Sequence, residues 1–177
     1  KSAHRCHKIV HSLLSFARQE PPARKLVHLK TVINEVLEIM AYELRTSDIT
    51  VVRDFAPQLP VIMADPHQLQ QVFVNIIGNA RHAIESSQRQ GRIEIRTRET
   101  GTRVVLEFED SGPGIRAEHL GRIFDPFFTT KPVGEGTGLG LSLCYGIIKE
   151  HAGDITVRSE LGRGTTFAID LPAAPES

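Results

Sequence analysis

Asp65-Pro66-His67-Gln68 begins the longest segment of this chain whose pattern fits only one kind of element. A capping carboxylate, a proline at the first helical position and a glutamine three residues past the cap together mark a helix start. From there to about Ser87, steps of 100° place Leu69, Val72, Phe73, Ile76, Ile77, Ala80 and Ile84 on one face. Such a face must lie against a second layer. Asn75, Asn79, His82 and Ser86 form a separate polar stripe, displaced by roughly 120° from the centre of that face. The stripe is either solvated or aimed at a ligand.

Strands supply the second layer. Alternating or β-branched runs at 49–55, 61–63, 92–99, 103–109, 154–159 and 165–171 read as strands. Thr100-Gly101-Thr102 joins the middle two as a hairpin, and Gly162-Arg163-Gly164 turns between the last two. A helix is expected from an N-cap at Thr31, with Ile33, Val36, Leu37, Met40 and Leu44 on one side. Another is expected from about Gly138 to Ala152-Gly153, and a short one near 117–122. Paired strands interspersed with helices argue for a layered α+β sandwich, not a parallel doubly wound sheet.

Cys6, Ile9, Val10, Leu13, Phe16 and Ala17 make a narrow apolar stripe on a helix of about five turns, which Pro21-Pro22 stops. One helix cannot bury such a stripe alone, so it needs a neighbour or a twin chain. The expected division is 1–22 for this helix and its linker, 23–172 for the sandwich, and 173–177 for a tail. A total of 177 residues suffices for one sizeable core. Lys and Arg balance Asp and Glu at 21 each, although residues 1–30 are basic. That basic helix could face nucleic acid or an acidic protein, and a solvated face is the simpler account. No apolar stretch is long enough to cross a bilayer, and Cys6 and Cys144 stand apart, so a reducing, cytoplasmic setting is expected. The chain starts at Lys1, which suggests a longer parent whose membrane attachment is open.

Several segments could carry chemistry. Two asparagines one turn apart present amide oxygens of the kind that join phosphates and water around Mg²⁺. Asp110 closes a strand just before Ser111-Gly112-Pro113-Gly114, where glycines let backbone approach a flat base and a carboxylate can accept from an exocyclic amino group. Phe124-Asp125-Pro126-Phe127-Phe128 concentrates aromatic residues in an aromatic-poor chain. Gly136-Thr137-Gly138-Leu139-Gly140-Leu141 leads into a helix, leaving amide N–H groups to meet an anion. G-x-x-x-x-G-K-[S/T] and G-x-G-x-x-G are both absent, and no clear strand precedes Gly134, which argues against a P-loop or dinucleotide fold. His4, His7, His11 and Cys6 could be read as a zinc site, but the exposed side of a coiled coil accounts for them more simply.

In order, Asn75-Ile76-Ile77-Gly78-Asn79-Ala80, Asp110-Ser111-Gly112-Pro113-Gly114, residues 124–128, residues 134–141 and Gly162-Arg163-Gly164-Thr165 resemble the N, G1, F, G2 and G3 boxes of sensor histidine kinases. The resemblance runs from Arg5 to Leu171 and implies a two-layer Bergerat-type ATP-binding fold with a mixed, mostly antiparallel sheet. It makes Asn79 the Mg²⁺ ligand, Asn75 a holder of phosphates, His82 a basic neighbour of the phosphates, and Asp110 the reader of the adenine amino group. Gly112, Gly114, Ile115, Phe124, Phe128, Thr129, Lys131, Gly136, Thr137, Gly138, Leu139, Gly140, Leu141 and Thr165 would complete the ATP site, with 129–137 as a lid. Related hydrolases carry a glutamate where Asn75 stands, and an amide cannot act as their general base. That favours a kinase over a conformational-clamp ATPase of the same fold, while a serine kinase of the anti-sigma type shares the nucleotide boxes. Residues 9–18 resemble the end of a dimerisation hairpin, implying a homodimer. None of the eight histidines precedes an acidic residue, so the phosphoryl acceptor is expected upstream. A response-regulator receiver domain is the implied partner, and nucleic acid is not.

Overall fold

The computed structural model describes residues 23–87, 90–132 and 136–175. The amphipathic segment before Pro21-Pro22 and part of the expected lid lie outside the described residues. In chain order the elements are β1 (Lys25–Val27), α1 (Leu29–Ile39), α2 (Ala41–Thr46), β2 (Ile49–Phe55), β3 (Ile62–Ala64), α3 (Pro66–Ser87), β4 (Gly91–Thr100) and β5 (Arg103–Asp110). These are followed by α4 (Ala117–Leu120), α5 (Gly140–Glu150), β6 (Asp154–Glu160) and β7 (Gly164–Pro172).

Five strands form a sheet in the order β2-β4-β5-β7-β6, while β1 and β3 make a small antiparallel pair. Only β2 and β4 run parallel; the other neighbours are antiparallel. The α+β sandwich with a mixed, mostly antiparallel sheet is therefore what the chain forms. Period-two alternation decides which side chains face the helices. On β5 the inward set is Val104, Leu106, Phe108 and Asp110, all buried; on β7 it is Thr165, Phe167, Ile169 and Leu171. The outward face carries charge: Glu107 is paired with Arg96, Arg98 and Arg158.

Helix α3 lies on β4 and β5 between α1 and α5, with all seven apolar-face residues buried. Phe73 stacks at a tilt on Phe108 with centroids 5.4 Å apart, and truncating it to Ala would cost about 3–5 kcal/mol. Asp65 caps the helix as expected, its Oδ1 accepting from the amides of His67 (2.9 Å) and Gln68 (3.3 Å). The reciprocal half of the capping box is not made. The Asp65 N–H donates instead to His151 Nε2 at 3.0 Å, and Gln68 Oε1 is buried without a partner among the described residues.

Three expectations shift. Helix α1 starts two residues before Thr31, because burying Leu29 outweighs the capping preference of the threonine. Met40, at φ −90° and ψ 0°, breaks the helix, yet Met40 and Leu44 continue the same buried series. Strand β1 was not anticipated, since three residues show no readable alternation; its partner β3 fixes it.

Candidate functional site

Two clusters of the expected site residues lie at opposite ends of one helical stripe. At the first, alternation carries Asp110 to the end of β5 facing α3, opposite Thr165 on β7 in the strand register. Its Oδ1 accepts from the Gly112 amide at 2.8 Å. Burial pushes the carboxyl up to about 6, against the opposing effect of hydrogen bonds from the Gly112 and Thr165 backbones. Gly112 is wedged: a Cβ there would stand 2.7 Å from Asp110 Oδ1 and 3.1 Å from Ala83 Cβ of α3. Gly164 runs so close beneath Asp110 that a Cβ would lie 1.9 Å from its carbonyl oxygen, and its φ of +114° also excludes other residues.

Ser159 of β6 locks this end. Its hydroxyl donates to the Gly164 carbonyl (2.8 Å), so it accepts from the Ile115 amide (2.8 Å) and the Thr165 hydroxyl (3.1 Å). The Gly162 amide donates to the Pro113 carbonyl at 2.8 Å. Residues 111–115 are thereby held from both sides, and Gly114, at φ +77°, packs on the Glu160 carbonyl. Ser159 was invisible to sequence reasoning, since a serine in a strand near a turn gives no signal of its own. Ala83 could have been found, as it extends the Asn75–Asn79 spacing by one more turn.

The second cluster forms where α5 begins. No side chain caps α5, and its first backbone bond runs from the Leu143 amide to the Leu139 carbonyl. Helix geometry then leaves the amides of Gly140, Leu141 and Ser142 without intrahelical partners, which suits an anion. A Cβ on Gly140 would stand 3.3 Å from Asn75 Oδ1, so glycine is what lets the amide oxygen reach the helix mouth. The Asn75 side chain also hydrogen-bonds the Cys144 thiol, which burial pushes up to about 12. Leu139 is buried and Leu141 packs against the core, so both position backbone. The helix starts at Gly140, not Gly138, because Gly138 turns out at φ +67° and takes the Phe127 amide on its carbonyl at 2.9 Å.

Asn79 lies on α3 between these clusters, one turn from Asn75 and one from Ala83, and its amide makes no hydrogen bond among the described residues. From Asn75 to Ala83 the helix rises about 12 Å. No group of three or more His, Cys, Asp or Glu side chains able to hold a metal occurs among the described residues. A lone amide suits an ion such as Mg²⁺, which keeps waters and takes its other oxygens from a phosphate chain. His82 is placed differently: it lies about 10 Å along the helix from Asn75 and its exposed ring bonds the Gly78 carbonyl through Nδ1 at 2.6 Å.

The aromatic run divides. Phe124 turns inward against Tyr145 (5.6 Å) and Phe167 (6.4 Å). Phe128 lies by His119 and under Arg122. Phe127 is exposed, in a left-handed conformation at φ +67°. Thr129 Oγ1 accepts the Lys131 amide at 3.2 Å, and the Lys131 stem and Thr129 flank Gly136. The Thr137 hydroxyl oxygen accepts the Leu139 amide at 3.3 Å.

A family profile described as histidine kinase-, DNA gyrase B- and HSP90-like ATPase matches residues 64–175. Sensor kinase CckA of Brucella abortus is 40% identical over 187 residues, covering 97% of this chain but 19% of CckA, so the chain spans about a fifth of that relative. The catalytic domain of histidine kinase ThkA, nucleotide free, superposes with a TM-score of 0.74 at 32% identity, covering 85% of this chain and 95% of that one. ThkA in complex with the response regulator TrrA gives 0.80 at 29% identity over 99% of this chain and 49% of that one. Full-length ShkA with AMPPNP gives 0.84 at 27% identity, over 96% and 36% respectively.

Proposed function

The chain belongs to the histidine kinase-, DNA gyrase B- and HSP90-like ATPases, as an ATP-binding catalytic domain of the histidine kinase kind, and from that premise we propose that it holds Mg·ATP along α3 and delivers the γ-phosphoryl to a histidine upstream of Lys1. One observation carries the reading. A single helical stripe puts Ala83 against the Asp110–Gly112 cradle and Asn75 against the mouth of α5, with the Asn79 amide, unpartnered among the described residues, between them. Those are a base end, a phosphate end and a metal ligand in the order a purine nucleoside triphosphate requires.

Asp110 accepts the exocyclic amino group of adenine, and glycines 112 and 114 let the base lie flat beside it, with Ile115 and Thr165 completing that end. The amides of Gly140 and Leu141 and the side chain of Asn75 hold phosphate oxygens. Phe124, Phe128, Thr129, Lys131, Gly136, Thr137, Gly138 and Leu139 shape the wall on the lid side. His82 reaches the triphosphate only by releasing the Gly78 carbonyl. Asn79 would hold Mg²⁺, which when bound would neutralise charge on the phosphates. Asn75 cannot deprotonate water, so the phosphoryl is kept for an imidazole nucleophile, and positioning supplies most of the catalysis.

The phosphoryl then passes to an aspartate on a response-regulator receiver domain, a role consistent with the TrrA complex of ThkA. The dimerisation helix and linker expected over residues 1–22 lie outside the described residues, and in the parent protein the catalytic domain works in the cytoplasm. To test this, the chain is mixed with Mg·ATP and a dimeric helical hairpin bearing an acceptor histidine. Acid-labile phosphorylation of the hairpin is expected, with little release of free phosphate when the hairpin is left out. Rapid acceptor-free hydrolysis would favour a conformational-clamp ATPase instead.

A further inference from the structure

His151 is buried at the C-terminal end of α5, and both its ring nitrogens are engaged. Nδ1 lies 2.8 Å from the Ile147 carbonyl, which can only accept, so Nδ1 carries the proton. Nε2 is then free to accept the Asp65 N–H at 3.0 Å. The Asp65 carboxylate shares itself between the first amides of α3, through Oδ1, and the Ala23 amide at 2.9 Å, through Oδ2. Arg24 bonds the Glu150 carbonyl beside it. Three pieces of chain therefore meet at one joint: the segment arriving at Ala23, the start of α3 and the end of α5.

The same two helices also meet at the phosphate end. Asn75 lies ten residues past Asp65 on α3, and Gly140 lies eleven residues before His151 on α5, so the two stretches are about 15 and about 16.5 Å long. Between them the Cys144 thiol reaches the Val72 carbonyl at 3.8 Å and the Asn75 side chain. The helices thus form an antiparallel pair, with the His151–Asp65 bond at one end and the Asn75–Gly140 approach at the other. Slippage at the joint would shift Gly140 against Asn75, where tenths of an ångström matter.

We propose that His151 is a positioning residue for nucleotide binding: its bond to the Asp65 amide sets the register of α5 against α3 and ties that register to the chain arriving at Ala23. This rests on the assignment of Asn75 and the α5 mouth to the triphosphate. Any displacement of Ala23 is transmitted to the phosphate grip through the capping carboxylate.

Two substitutions separate the joint from general stability. Glutamine reaches far enough to keep an acceptor at the Asp65 N–H, whereas asparagine can bond only within α5. Mg·ATP affinity is measured by calorimetry on the full chain for wild type, His151→Gln and His151→Asn. His151→Gln should bind within about twofold of wild type, and His151→Asn at least about fivefold more weakly. Equal affinity for His151→Asn and wild type, or equal losses in both variants, would overturn the proposal. Should His151→Asn fail to fold, amide exchange in the wild type decides. Linkage is reciprocal, so saturating Mg·ATP should slow exchange at Asp65 at least about fivefold, and an unchanged rate refutes the joint. If wild type takes up no Mg·ATP, it is the nucleotide reading beneath the proposal that fails.

Discussion

The two ends of the α3 stripe are built by different means. The Asp110 end is part of the sheet: its residues are strand ends and tight turns tied by hydrogen bonds, and a side chain is excluded at Gly112 by the Asp110 carboxylate and Ala83, and at Gly164 by the Asp110 backbone. The Asn75 end has one rigid wall, the helix pair, and one wall made of loop, where Phe127 is exposed and strained and α5 starts uncapped. On the proposed reading, the difference teaches that base recognition would be preformed at a cost to the fold, whereas the phosphate grip would leave amides for a ligand to complete. Damage at the first end should therefore appear in stability as well as affinity. Damage at the second should appear in affinity alone.

The sharpest contrast comes from the same substitution at the two ends. Gly164→Ala sets a Cβ against the Asp110 carbonyl at a backbone angle alanine resists, and should lower unfolding free energy by at least about 3 kcal/mol in denaturant titrations. If it folds with normal stability, the base end is not rigid.

Asp110→Asn comes next, with an expected loss of about 100-fold in ATP affinity, while the apo fold survives. The carboxyl is raised in the folded state, so its protonated form contributes stability below about pH 4 that is lost as pH rises through about 6. Stability of the variant relative to wild type should thus improve from pH 4 to pH 7, by up to about 3 kcal/mol, and a flat difference would contradict the burial of this charge. ATP binding by wild type should weaken over the same range as pH falls.

Asn79→Ala should remove the Mg²⁺-dependent part of ATP affinity, by roughly tenfold, and shift stability by no more than about 0.5 kcal/mol, because no described residue bonds that amide. Calorimetry with and without Mg²⁺ reads this directly. The smallest effect is that of Gly140→Ala. Its Cβ meets only the tip of Asn75, so ATP affinity should fall about threefold to fivefold while melting temperature holds or rises slightly. A melting temperature several degrees lower would erase the contrast between the ends.

Legibility in the sequence follows the same division. Helix α3 and the strands of the large sheet were readable because burial imposes a period of 3.6 or 2 that side chains must obey, and one such period delivers Asp110 inward with Phe108. The order of the glycine segments pointed to the family. Contacts that depend on partners distant in the chain were not readable. Gln68 fits a capping box, yet His151, 86 residues from Asp65, takes the bond. Thr31 has the chemistry of a cap, yet the burial of Leu29 fixes the helix start. His82 shares the stripe with Asn75, yet its ring turns back to the Gly78 carbonyl, an outcome only rotamer packing decides.

One titration tests the account most directly: the wild-type chain against Mg·ATP and, separately, Mg·GTP. If Asp110 accepts from the 6-amino group of adenine, where guanine carries a carbonyl, the adenine nucleotide should bind at least about tenfold more tightly than the guanine one. Equal affinity for the two, or no binding of either by folded protein, would contradict it.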